Sequence, residues 1–192
     1  MISIVEDFVP KIFQDQLEAQ LLSPEFLWSY SPYTTNPSRS AIFVDKDCSD
    51  TPQFVHGFFG DNTAYSNYYT LIHPFLYFMS MHNYKVASFW RSKSNMTLPV
   101  NVPKEAHSYP HTDLNQAGVK GISMLYYVND SDGDTIFFEE SPEEFNGTLT
   151  VKQRVSPKKG TAVIFDSATI HAGQVPKNAK NRVVVSSIFL VN

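Results

Sequence analysis

A single cysteine, Cys48, in 192 residues excludes an internal disulfide framework and any multi-cysteine zinc site. It suits a reducing compartment, so the cytoplasm is the expected location. Charge of one sign is also scarce. Fifteen Lys and Arg stand against 19 Asp and Glu, for a formal net charge of -4, and no basic block is dense enough to follow a phosphate backbone. Nucleic-acid binding therefore gains no support. Long apolar runs are missing too: residues 71–81 are the greasiest stretch, but His73 and Pro74 interrupt it, and it falls short of the roughly 20 residues that cross a bilayer. Glu6 and Asp7 lie where a secretory leader would be basic and then apolar, so neither export nor a membrane role is expected. Neither a phosphate-cradling glycine loop nor a nucleophile elbow occurs.

The remaining composition fits one domain, residues 1–192, whose 42% hydrophobic content can bury a sizeable core. Pro10 opens a segment in which Phe13, Leu17 and Leu21 recur every fourth residue until Ser23 and Pro24 stop it, which predicts an amphipathic helix. Residues 30–62 hold Pro32, Pro37, Pro52, Gly57 and Gly60. They read as mostly loop, with a short apolar run at 41–44 able to pair as a strand. Residues 64–83 carry aromatics at helical spacing, with Pro74 starting a second helix or kinking a continuous one. From residue 85 the pattern turns to short β-branched and aromatic runs at 86–96, 122–128, 135–139, 148–151, 161–166 and 183–191. The expectation is a helical and loop portion over 1–84 and a β-sandwich or barrel over 85–192, with helices packed against it.

The chemistry lies in His111-Thr112-Asp113. In an extended segment residues two apart point to the same face, so both side chains can grip one ion. A third ligand must come from elsewhere, and His171, after the apolar run 162–165 and a short turn, can supply it. Two imidazoles and one carboxylate form a facial triad that leaves positions open for a bidentate cosubstrate and oxygen, which suits iron(II). A closed structural zinc shell would want thiolates that one cysteine cannot provide. A His-x-Asp pair alone is weak, because such triplets arise by chance. Arg182 changes the weighing: a guanidinium at the start of an apolar strand needs a reason, and a small dicarboxylate offers a bidentate one. Its bland alternative is an ordinary ion pair. His107 is set aside because Pro110 forbids a helix that would align it with His111.

These residues carry a resemblance. Residues 109–191 resemble the double-stranded β-helix core of the iron(II)/2-oxoglutarate oxygenases, in particular the prolyl-hydroxylase-like branch and its phage-encoded relatives of unassigned substrate. The matching features are His111-Thr112-Asp113, Leu125-Tyr126-Tyr127-Val128-Asn129, Asp132-Gly133-Asp134-Thr135-Ile136-Phe137-Phe138, Val155-Ser156-Pro157-Lys158-Lys159-Gly160, His171-Ala172-Gly173 and Arg182. Many prolyl hydroxylases have Gly-Gly-Glu-Thr at residues 132–135 and Lys at 182, departures that touch no metal ligand. The resemblance implies a mainly β fold, a double-stranded β-helix or jelly roll with N-terminal helices on its outer face. It implies Fe(II) and 2-oxoglutarate as cofactors, ascorbate as activator, and molecular oxygen as partner. It further implies a hydroxylase-type dioxygenase that couples decarboxylation of 2-oxoglutarate to succinate with oxidation of an unidentified substrate, in the cytoplasm of a cell or of a phage host. Tyr127, pointing inward in the family pattern, and Ser186, sharing a strand face with Arg182, are cosubstrate-binding candidates, and so is Asn95. Loop 33–62 and segment 97–108 are candidate lids. Two other readings stay open: a cupin-like metalloenzyme that does not use 2-oxoglutarate, and a non-catalytic small-molecule binding module of the same fold.

Overall fold

Along residues 121–127 bulky side chains alternate between two apolar environments, and that alternation sets the architecture. The computed structural model describes residues 2–36, 42–114 and 119–191. In chain order its elements are β1 (Ser3–Val5), α1 (Lys11–Leu21), β2 (Ser29–Ser31), β3 (Gln53–Gly60), β4 (Thr63–Ala64), α2 (Tyr69–Ile72), α3 (Pro74–Met81), β5 (Val86–Thr97), β6 (Gly121–Tyr127), β7 (Thr135–Phe138), β8 (Val151–Val155), β9 (Ala162–Asp166), β10 (His171–Gly173) and β11 (Arg182–Val191). The large sheet runs β1-β9-β6-β11-β5-β3-β2, with β4 on β3, and every pairing is antiparallel. The smaller sheet runs β10-β7-β8. The result is a mainly β double-stranded β-helix with helices on its outer face.

The two faces of the large sheet bury different things. Met124 and Tyr126 of β6, Ala162 and Ile164 of β9 and Val183 and Val185 of β11 join Leu17 and Leu21 of α1 and Phe75 and Met79 of α3 in one core. The alternate residues Leu125, Tyr127, Val163, Phe165 and Val184 meet Phe137 and Val155 of the small sheet in a second core. Period-2 alternation on a sheet covered on both sides is why these strands read as nearly continuous apolar runs. The Leu17 side chain is 1% exposed, and truncating such a residue to Ala costs about 2–5 kcal/mol.

Helix α1 docks on the turn before β9. Gly160 has φ +81, and a Cβ there would meet the Gln14 side chain at 2.2 Å, so only glycine fits this left-handed, crowded position. The Phe8 N–H donates to the Gly160 carbonyl at 2.9 Å, while Lys159 bonds Asp15 at 2.6 Å and also reaches Glu18.

Several expectations need correction. Residues 53–60, read as loop because Gly57 and Gly60 dilute their alternation, form β3 and pair with β5. Residues 1–84 are therefore not only helix and loop; they add β1 to β4 to the large sheet. Within residues 64–83 the first of the two alternatives holds: two short helices meet at His73, with Pro74 opening the second. The strand expected at 148–151 lies at Val151–Val155. Of the 41–44 run, Ala41 falls outside the described residues, and Ile42 makes an isolated antiparallel bridge to His111.

Candidate active site

The inner faces of the two sheets enclose a cavity lined by every sequence-predicted site residue except Tyr127. His111 extends the small sheet: its N–H donates to the His171 carbonyl at 2.9 Å, and the His171 N–H returns a bond at 3.0 Å. The Asp113 N–H donates to the Ser167 carbonyl at 3.0 Å. Extended pairing therefore puts His111 and Asp113 on one face, as their spacing requires, and sets His171 beside them. One ligand atom from each of the three lies within 4.8 Å of the others.

Each histidine is oriented by its own backbone. His111 Nδ1 contacts the Tyr109 carbonyl at 3.0 Å and His171 Nδ1 the Thr169 carbonyl at 3.0 Å. A carbonyl only accepts, so each Nδ1 carries the hydrogen and each Nε2 keeps its lone pair. His171 Nε2 stands 3.8 Å from Asp113 Oδ2. That buried oxygen has no hydrogen-bond partner among the described residues, while Arg91 Nη2 holds Oδ1 at 3.5 Å. Burial, and then the neighbouring His171, pushes the His111 pKa down. Burial alone would raise the Asp113 carboxyl, but His171, Arg91 and His111 together hold it below the usual range. Two imidazoles, one carboxylate and its orphaned buried oxygen make up the donor set that a divalent transition metal satisfies.

The other end of the cavity is built around Arg182, which is 8% exposed. Its Nε donates to the Gly133 carbonyl at 2.7 Å and its Nη2 to Thr135 Oγ1 at 2.8 Å. No carboxylate among the described residues lies within ion-pairing distance of it. A Cβ on Gly133 would meet the Gln174 carbonyl at 2.5 Å, so glycine is required where this turn closes over the guanidinium. Tyr127, on the inner face of β6, donates its hydroxyl to the same Thr135 Oγ1 at 2.7 Å. Thr135 lines the cavity and Tyr127 stands behind it. Asn95 and Ser186 line the cavity too, and Asn95 Oδ1 is buried without a hydrogen-bond partner.

Sequence reasoning assigned no role to Thr135 or Lys93. Thr135 stood only as a family motif residue; its signal is the inward phase of β7, shared with Phe137. Lys93 lines the cavity on the same face of β5 as Asn95 and Thr97, and burial followed by the like charge of Arg91 pulls its pKa down to about 8. Of the candidate lids, Thr34, Thr35 and Gln53 from the first and Thr97 and Ser108 from the second line the cavity. Gln53 Nε2 ties the first loop down through the Tyr33 and Thr34 carbonyls at 3.1 and 2.8 Å. His107 does not line the cavity; it gathers with Asp45 and Cys48 in a second group. No helix among the described residues is long and apolar enough to cross a membrane.

The model of the 2OG-Fe(II) oxygenase superfamily matches residues 98–190. No curated protein sequence matches the chain. Among solved structures, a Pseudomonas putida prolyl-4-hydroxylase is 14% identical, with 100% of this chain and 92% of that one covered and a TM-score of 0.58. AviO1 from Streptomyces viridochromogenes Tue57 is 13% identical, with 98% and 89% covered and a TM-score of 0.64. The viral collagen prolyl hydroxylase of Paramecium Bursaria Chlorella virus-1, in its 2OG complex, is 14% identical, with 100% and 96% covered and a TM-score of 0.54. At these identities the likeness is one of fold.

Proposed function

We propose, from the match of residues 98–190 to the model of the 2OG-Fe(II) oxygenase superfamily, that the chain is a hydroxylase-type dioxygenase that oxidises an unidentified substrate while converting 2-oxoglutarate and oxygen to succinate and carbon dioxide. The observation that carries this reading is the pairing, in one cavity, of the His111, Asp113 and His171 donor set with a buried Arg182 that lacks a carboxylate partner among the described residues. Bound iron(II) supplies the redox chemistry of oxygen activation. The two Nε2 atoms and Asp113 hold the metal, and the Tyr109 and Thr169 carbonyls fix both imidazoles in the ligating tautomer. Arg91 steadies the Asp113 carboxylate from the other side.

Arg182 holds the distal carboxylate of 2-oxoglutarate, with Nε and Nη2 already committed to Gly133 and Thr135 and Nη1 left for the ligand. Thr135 Oγ1 accepts from both Tyr127 and Arg182, so its lone pairs are taken. Its own hydrogen goes to a third partner, and the cosubstrate carboxylate is that partner. Tyr127 then acts by positioning Thr135, while Asn95 and Ser186 line the path between Arg182 and the metal. A cytoplasmic setting and ascorbate as activator, keeping iron reduced, complete the proposal.

A cupin-like enzyme working without cosubstrate would have no use for Arg182, and a pure binding module would have no need of a complete donor set. The test is succinate release from purified protein with iron(II), ascorbate and 2-oxoglutarate, through slow uncoupled turnover. Succinate that depends on iron and on His171 supports the oxygenase. Iron binding with no uptake or turnover of 2-oxoglutarate would point to the cupin-like alternative.

A further inference from the structure

Lys93 on β5 has no part in holding iron or 2-oxoglutarate as assigned above, and its neighbour Arg91 does no more than steady Asp113. Lys93 lines the cavity, yet among the described residues it has neither a hydrogen bond nor an ion pair. Arg91, two residues earlier and so on the same strand face, is not itself in the lining; 3.5 Å from Asp113 and with 40% of its side chain exposed, it stands between the lining and solvent. Asp113 is the one carboxylate among the residues that line this cavity. Bound iron and 2-oxoglutarate carry equal and opposite charge, and Asp113 offsets one of the two lining cations, Arg182 and Lys93. One positive charge stays uncompensated in the lining. Keeping such charge in a confined cavity is unfavourable without a counter-ion, and the excess focuses attraction on anions that enter.

Lys93 is badly placed to duplicate Arg182. Strand register pairs Arg182 with Thr97 and Ser186 with Lys93, four residues further along, or roughly 13 Å at about 3.3 Å per residue. The two side chains thus start from well-separated points along the cavity wall. The Lys93 end of the cavity is the end where Arg91 meets the metal-ligating Asp113.

We propose that Lys93, with Arg91 between the lining and solvent, forms an anion subsite for the oxidised substrate, which is a small molecule carrying a carboxylate or a phosphate next to the carbon that reacts. This rests on the oxygenase reading above. An uncharged residue inside a polypeptide would leave Lys93 uncompensated, so a free acid or phosphate monoester is favoured over an internal peptide residue.

The test uses wild-type protein loaded with Mn(II) and 2-oxoglutarate without oxygen, titrated calorimetrically at constant ionic strength with acetate, methyl phosphate and neutral acetamide. Saturable binding of acetate or methyl phosphate, but not of acetamide, is expected, and the better of the two identifies the anion class. Lys93→Gln and Arg91→Gln should each weaken that anion about tenfold or more, as loss of a charge-assisted contact does. Lys93→Arg, which keeps the charge, should stay within about threefold. Uptake of 2-oxoglutarate by Lys93→Gln should match wild type, which also shows that the variant is folded. Wild type that binds neither anion, or Lys93→Gln that binds it undiminished, overturns the subsite. Lys93→Gln that loses 2-oxoglutarate as Arg182→Ala does makes Lys93 a cosubstrate anchor; this sinks the proposal while the oxygenase reading stands. Failure of wild type to take up 2-oxoglutarate removes that reading and the subsite with it.

Discussion

Among the described residues two groups bring a histidine and an aspartate within ligating distance, and one of them faces the cavity. In the first, His111, Asp113 and His171 present two Nε2 lone pairs and an oxygen without a hydrogen bond to shared space. In the second, Asp45 Oδ1 already accepts from the Asp47 N–H at 3.0 Å and from the Cys48 thiol at 3.3 Å. His107 Nε2 there lies 3.5 Å from Asp45 Oδ2, and burial pushes the Cys48 thiol up to about 11, against thiolate formation. The Ser49 N–H donates to the His107 carbonyl at 2.8 Å, and the His107 N–H to the Asp47 carbonyl at 3.2 Å. The second group ties a loop to the segment that leads into His111. Proximity alone does not separate the two; the state of their lone pairs does.

The sharpest way to break this comparison is by substitution. His111→Ala, Asp113→Ala and His171→Ala should each reduce iron-dependent succinate formation to background while circular dichroism shows a folded protein, because the core and not the metal holds the sheets together. His107→Ala should keep turnover and lose about 1–3 kcal/mol of stability in a denaturant titration, from a buried hydrogen-bonded group. The reverse pattern would exchange the roles of the two groups.

Next in size is the Arg182 end. Arg182→Ala leaves a buried anion uncompensated, a cost of about 3–5 kcal/mol, so 2-oxoglutarate affinity should fall by on the order of a hundredfold or more. Arg182→Lys keeps charge but loses the planar fork, and should be milder. Thr135→Val keeps the shape and removes both the acceptor that positions the guanidinium and the donated hydrogen. Titration of that variant with 2-oxoglutarate should show a loss of about tenfold, or roughly 1.4 kcal/mol.

The smallest expected effect is on pH dependence in the metal-free protein. His111 has its pKa held down by burial, so below the ordinary value near 6.5 the unfolded chain takes up a proton that the folded chain refuses. Stability is then fully present above about pH 6.5 and declines as the pH falls. Urea midpoints measured from pH 7.5 to 5 should show that decline, and His111→Ala should flatten it. An unchanged slope in the variant would assign the pH dependence elsewhere.

The comparison also shows what a sequence carries. His111 and Asp113 were legible because two-residue spacing in a strand has one geometric meaning, and Arg182 because a guanidinium in an apolar strand is conspicuous. Lys93 was not, since a lysine in a polar run such as Arg91-Ser92-Lys93-Ser94-Asn95 looks solvated until a second sheet closes over it. Thr135 had no chemical signature of its own; its importance comes from accepting two hydrogen bonds at once. Strand β3 hid behind Gly57 and Gly60, whose missing side chains blur a period of two, although pairing with β5 keeps the segment extended. The outer helices were recognised through Leu17 and Leu21, but propensity could not foresee that the chain before and after them adds strands to the large sheet.

The central claim is that one iron(II) and one 2-oxoglutarate meet in the cavity between His171 and Arg182. The most direct measurement is an anaerobic titration of the iron(II)-loaded protein with 2-oxoglutarate, following the charge-transfer absorption of the iron–keto-acid chelate. The account predicts one chelate per chain, abolished by His171→Ala, shifted to much weaker affinity by Arg182→Ala and unaffected by His107→Ala. A chelate that survives His171→Ala, or one of wild-type affinity in Arg182→Ala, would contradict it.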